Sequence, residues 1–107
     1  GNRSEITIGY FTKHGDAGAD ILPLGNLVKK EVRELARYLG VPQAIIDKAP
    51  SAGLWQGQTD ESEMGFSYDT LDRYILTGGA PDDIKSRIEF MKASCQHKIQ
   101  PPPIPNF

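Results

Sequence analysis

The chain has 107 residues, one domain at most, and 38% of them are hydrophobic, on the low side for a self-sufficient core. Lys+Arg 12 against Asp+Glu 14 gives a net charge of −2 with no basic stripe, which argues against nucleic-acid binding by phosphate neutralisation. No apolar run approaches the ~20 residues of a membrane-spanning helix, and the single Cys95 has no cysteine partner for a disulfide or zinc site, so a reducing, cytoplasmic setting is expected.

Residues 4–11 are short and apolar, and periodicity does not decide between helix and strand there. The run from Lys13 to Asp20 is rich in Gly and Asp and reads as a loop. Ile21-Leu22-Pro23-Leu24 fits a short strand, with Pro23 keeping it brief or at an edge. The clearest element follows. Leu27, Val28, Val32, Leu35, Ala36 and Leu39 recur at three-four spacing, which predicts a helix over 27–39 with Asn26 as its cap and Gly40 and Pro42 as its stop.

Pro42 opens a second short helix that runs to Lys48 and ends before Pro50. Residues 51–66 are rich in Ser, Gly, Gln and acids and read as one long, mobile active-site loop, and Trp55 within it wants burial, so the loop is expected to close onto something. Ser67 caps a helix to about Leu76, stopped by Gly78-Gly79. Pro81-Asp82-Asp83 starts a last helix with Ile84, Ile88 and Met91 on one face. The segment 99–107, with its prolines, is expected to be extended. Four helices and one or two strands do not complete a sheet.

Several residues could carry chemistry. Glu5, Asp16 and Asp20 are able to supply the one or two carboxylates that magnesium takes beside nucleotide phosphates, though a capping Glu and turn aspartates have the same pattern. Lys29 and Lys30 fall in a first helical turn, where the dipole disfavours cations unless an anion binds there. Ser51, flanked by small residues, suits either a phosphate contact or a turn. His97-Lys98 follow a helix end, a favourable place for cations on structural grounds alone. No catalytic triad, GxGxxG or P-loop occurs.

In order and spacing these segments resemble the NAD synthetase family over nearly the whole chain. The stretches that carry the resemblance are Asn2-Arg3-Ser4-Glu5, Gly9 to Asp16, Asp20 to Leu24 running on to Lys29, Leu35 to Pro42, Lys48 to Leu54, Gln58-Thr59-Asp60-Glu61, Gly65 to Tyr68, and Leu71 to Tyr74. Each is weak alone; their joint order is specific.

The resemblance implies an α/β fold, the C-terminal part of a Rossmann-like adenine-nucleotide alpha-hydrolase fold that is mostly helical within these residues. It implies ATP-dependent amidation of deamido-NAD by ammonia through an adenylated intermediate, with Mg2+, in a homodimer. Carried over by position, Glu5 is the metal ligand, Lys29 and Ser51 contact ATP, Lys13, Asp20, His97 and Lys98 contact deamido-NAD, and Asp16 is the catalytic carboxylate at the ammonia pocket. Threonine also occurs in the family at the position of Ser51. The family's Ser-Gly-Gly-x-Asp-Ser pyrophosphate loop is not among these residues, so the segment alone is expected to be inactive. The alternative expectation is a non-catalytic dimerisation remnant of an ATP-dependent ligase.

Overall fold

The structure is a computed structural model that describes all 107 residues. It holds seven α-helices, a 3₁₀ turn at Asp16–Gly18, and no strand. The undecided segment 4–11 is helical: α1 runs Arg3–Ile8. Asn2 caps it by accepting from the Glu5 amide at 3.0 Å, while the Asn2 amide donates to Glu5 Oε2 at 3.0 Å. This reciprocal pair satisfies two amides that a helix start otherwise leaves unmet. Gly9 ends the helix at φ +71, a left-handed conformation that glycine adopts freely. Its amide closes back onto α1, and any Cβ there would stand 2.2 Å from the Cβ of Cys95.

The expected strand at 21–24 does not form; Pro23 to Asn26 make turns, because no neighbouring strand is present to pair with. The clearest predicted helix exists as α2, Lys29–Tyr38. Its start differs from the expectation. Val28 takes the cap position rather than Asn26, and Val has no side chain able to accept a hydrogen bond. The first amides of α2 are met from elsewhere: Lys29 N donates to Ser4 Oγ at 2.9 Å and Lys30 N to Asp72 Oδ2 at 2.8 Å.

α3 spans Gln43–Asp47, close to the expectation. Within the predicted loop 51–66, residues 60–66 depart from the expectation. α4 runs Asp60–Met64, Thr59 caps it, and Met64 and Phe66 are buried, so the irregular part is only 51–59. Ser67 caps α5, Tyr68–Thr77, and Gly78 stops it, as expected. α6, Asp82–Ser94, buries Ile88 fully and packs Ile84 and Met91 against the core, the face anticipated from spacing. A further short helix, α7 at Gln96–Ile99, precedes an extended, exposed tail.

The core is small. Ile8, Met64, Phe66, Tyr68, Leu71 and Ile88 form one cluster where α1 crosses α5 and α6. Complete burial of such a side chain stabilises by about 1.5–3 kcal/mol, so this cluster is what fixes the helices around the site. α2 leans on α5 and α3 but buries none of its own residues fully. Leu35 and Leu39 of its apolar stripe remain 36% and 67% exposed, while Val32 and Ala36 line a cavity. The most legible helix therefore builds a site wall, not the core.

Candidate active site

Two cavities share a wall. The first, about 380 Å³, lies between α2, α3 and residues 48–51. Val32, Ala36 and Ile46 give it apolar sides, and Lys29, Arg33 and Lys48 place three cations around it. An apolar slot rimmed by cations suits a heterocyclic base joined to phosphates. The second, about 400 Å³, lies between the end of α1, residues 9–16, the 51–58 segment and α4. Four carboxylates line it: Glu5, Asp16, Asp60 and Glu63. Its one cation, Lys98, is already engaged. Lys98 Nζ donates to the carbonyls of Gly9 at 2.7 Å and Phe11 at 2.9 Å, and sits 5.3 Å from the Phe11 ring centroid. The second cavity is therefore strongly acidic and suits a cation.

Glu5, Ser51 and Asp60 line both cavities and so form the wall between them. Glu5 has two duties. Oε2 caps α1, and Oε1 stands 3.8 Å from Lys29 Nζ. The capping reading that the sequence leaves open for Glu5 holds, and its second oxygen remains turned to Lys29. Lys29 does not meet a free helix terminus, since Ser4 and Asp72 hold the first amides of α2; it faces the site through its ammonium instead. Ser51 Oγ donates to Gln58 O at 2.6 Å and accepts from Gly53 N at 3.0 Å, which is the turn role. Its place in both cavities is compatible with the phosphate role too.

Lys13 and His97 are brought together, with Lys13 Nζ 3.2 Å from His97 Nδ1 across the chain. Asp16 is exposed at the second cavity. Asp20 is exposed in the following turn and lines neither cavity. Trp55, expected to be buried, is 57% exposed, because the irregular segment closes on Gln58 and not on its indole. Gln58 is 5% exposed; its Oε1 accepts from Leu54 N at 2.6 Å and its amide donates to Glu63 Oε2 at 3.1 Å. The Tyr10 hydroxyl also donates to Glu63 Oε2, which ties α4 to the end of α1.

Two residues with no role assigned from sequence belong here. Asp60 is 6% exposed, its Oδ2 accepts from the Tyr68 hydroxyl at 2.7 Å, and its Oδ1 has no partner. Burial first, then the bond to Asp60 and the charges of Glu5, Asp60 and Glu61, push Tyr68 far above the usual tyrosine range, so it stays a donor. The only sequence signal is the Thr59-Asp60 capping pattern, which explains Asp60 as the start of a helix and hides its second use.

No three His, Cys, Asp or Glu side chains converge as a protein-only metal cage. Magnesium beside phosphates needs just one or two carboxylates. The Glu5 carboxylate, on the shared wall, fits that smaller donor set.

The helices are a portion of the Rossmann-like adenine-nucleotide alpha-hydrolase fold. A solved structure of NMN synthetase from Francisella tularensis superposes with a TM-score of 0.93 at 50% identity, covering 100% of this chain and 45% of that one. The family model for NAD synthase matches residues 1–102, and the chain belongs to that family. The NH(3)-dependent NAD(+) synthetase of Carboxydothermus hydrogenoformans is 57% identical over 105 residues, 98% of this chain and 43% of its own length. That of Archaeoglobus fulgidus is 54% identical over 108 residues, covering 97% and 44% respectively. The chain thus spans less than half the length of the curated relatives it matches.

Proposed function

We propose that the full-length protein containing these residues is an ammonia-dependent NAD synthetase, a carbon–nitrogen ligase of NAD biosynthesis. It works in the cytoplasm as a homodimer. The observation that carries the reading is the shared wall of Glu5, Ser51 and Asp60 between a cation-rimmed apolar cavity and an acidic one.

The chemistry requires two stages in adjoining space. A carboxylate is a poor electrophile until one of its oxygens becomes a good leaving group. The nicotinate carboxylate of deamido-NAD attacks the α-phosphorus of ATP; pyrophosphate leaves and an acyl-adenylate forms. Ammonia then adds to the acyl carbon, AMP leaves, and one proton is released as the amide forms. Lys29 and Ser51 hold the ATP phosphates, and Lys13, Asp20, His97 and Lys98 hold deamido-NAD. Glu5 would hold magnesium, which when bound would supply charge neutralisation at the phosphates. Asp16, at the acidic cavity, draws ammonium and accepts the proton that frees ammonia. The 51–59 segment closes over the adenylate and keeps water from it.

The assay is NAD formation by the full-length protein from ATP, magnesium, ammonia and deamido-NAD, with AMP and pyrophosphate each expected at one per NAD. Absence of all three products would refute the reading and favour a non-catalytic dimerisation module. The Francisella tularensis structure, named an NMN synthetase, favours a second reading in which the acceptor is the mononucleotide. Offering nicotinate mononucleotide and deamido-NAD in competition decides between them by which is amidated.

A further inference from the structure

Tyr68 lies against Lys29 and is bonded to Asp60, and the chemistry of the two stages makes no use of Tyr68. Tyr68 is wholly buried at the start of α5. Its ring centroid is 5.1 Å from Lys29 Nζ, within the range over which a ring face attracts an ammonium. Its hydroxyl donates to Asp60 Oδ2 at 2.7 Å. Glu5 Oε1 stands 3.8 Å from the same ammonium. Lys29 is therefore held from two directions, by a carboxylate and by an aromatic face.

A lysine on its own is a poor positioning device, because four flexible carbons let the charge wander. A phenol that donates to an anionic carboxylate gains electron density on its ring, which strengthens the pull of its face on a cation. The charge of Asp60 thereby reaches the ring over which the Lys29 ammonium sits. α5 is fixed in the core by Leu71 and Tyr68 itself, so the ring is an immobile support.

We infer that Tyr68 and Asp60 are positioning residues of the nucleotide site: the Tyr68 ring, with its hydroxyl anchored on Asp60, holds the Lys29 ammonium where a nucleotide phosphate meets it. The inference rests on the reading of Lys29 as an ATP contact. A purely structural Tyr68 would change stability without favouring one substrate over the other.

The test uses the full-length enzyme with Lys29→Ala, Tyr68→Phe, Tyr68→Leu, Asp60→Asn and the Lys29→Ala/Tyr68→Leu double variant. Tyr68→Leu is expected to raise KM for ATP about tenfold while KM for deamido-NAD stays within about twofold. Tyr68→Phe keeps the ring and Asp60→Asn keeps the shape, so each should raise KM for ATP about threefold. The double variant should be no worse than Lys29→Ala alone, because both changes act through one ammonium. Additive losses in the double variant overturn the inference, as does an unchanged KM for ATP in Tyr68→Phe and Asp60→Asn when Lys29→Ala raises it. Should Tyr68→Leu fail to fold, those two milder variants decide the matter. An unchanged KM for ATP in Lys29→Ala would sink the ATP reading of Lys29 itself, and the inference with it.

Discussion

Ser4 and Asp72, 68 residues apart in sequence, are joined by a buried hydrogen bond in which the serine hydroxyl donates to Asp72 Oδ1. Each then accepts an amide of α2, Ser4 from Lys29 and Asp72 from Lys30. One pair of side chains thus caps a third element and locks α1, α2 and α5 into one arrangement.

Asp72→Ala should accordingly destabilise the full-length protein by about 3–5 kcal/mol, because it strips a buried hydroxyl and a helix amide of their acceptor at once. Ser4→Ala should cost about 1–3 kcal/mol by leaving Asp72 and the Lys29 amide each one bond short. Denaturant unfolding measures both. Losses under about 0.5 kcal/mol would mean that water replaces these bonds and that the pair is not a cap.

Glu5→Gln separates the two duties of Glu5. A glutamine at the third helical position still accepts from the cap residue's amide, so stability should fall by less than about 1 kcal/mol. A neutral amide is a poor ligand for a hard dication, so the magnesium concentration for half-maximal activity should rise about tenfold or more. Magnesium titration alongside thermal unfolding checks the pair. A variant that melts much earlier yet uses magnesium normally would show Glu5 to be a cap alone.

Asp16→Asn should impair the ammonia stage while leaving adenylation nearly intact. Pyrophosphate release and NAD formation are followed separately, and NAD formation should drop by about 10²-fold or more relative to pyrophosphate release. Equal losses in both would remove Asp16 from the ammonia step.

The segment 51–59 should be cut rapidly by protease in the full-length protein without ligands and slowly with ATP plus deamido-NAD. Gln58→Ala, which removes the bonds to Leu54 and Glu63, should speed cleavage in the ligand-free protein about tenfold. Cleavage insensitive to ligands would rule out closure of this segment over the adenylate.

Gly9→Ala should be among the most damaging single-methyl changes in the chain. The left-handed backbone costs about 1 kcal/mol for alanine, and the new Cβ collides with Cys95, adding about 1–3 kcal/mol. Cys95→Ala should relieve little of it, since removing Sγ at 2.7 Å leaves the closer Cys95 Cβ at 2.2 Å; Cys95→Gly should relieve more. Unfolding midpoints of the single and double variants give the answer, and rescue by Cys95→Ala would contradict the contact.

What is legible in the sequence is whatever depends on near neighbours. The three-four spacing of Val32, Leu35 and Ala36 marks α2, Ser67 and Gly78 bound α5, and Ile84, Ile88 and Met91 mark the buried side of α6. The start of α2 escapes the local pattern because its acceptors, Ser4 and Asp72, lie 25 and 42 residues from the amides they serve. The strand expected at 21–24 fails because β-pairing needs a partner strand, and an apolar run does not announce one. α4 is hidden because its five residues are too few to show a period, and three are acids. The family resemblance supplies Glu5, Lys29 and Ser51, which the structure gathers at the first cavity. It gives no role to Tyr68, whose use depends on a ring face that no linear motif describes.

The grip of Lys98 on Gly9 and Phe11 reaches further than the turn it holds. Between those two carbonyls lies Tyr10, whose hydroxyl meets Glu63; Glu63 in turn holds Gln58, and Gln58 holds the amide of Leu54. A tether therefore runs from α7, through the end of α1 and α4, to the tip of the irregular segment. Were the lysine ammonium drawn off its two carbonyls, the first link of that line would be lost. The Leu54 amide and the lysine at the root of the tether thus share one line of contacts, although no hydrogen bond joins the two directly.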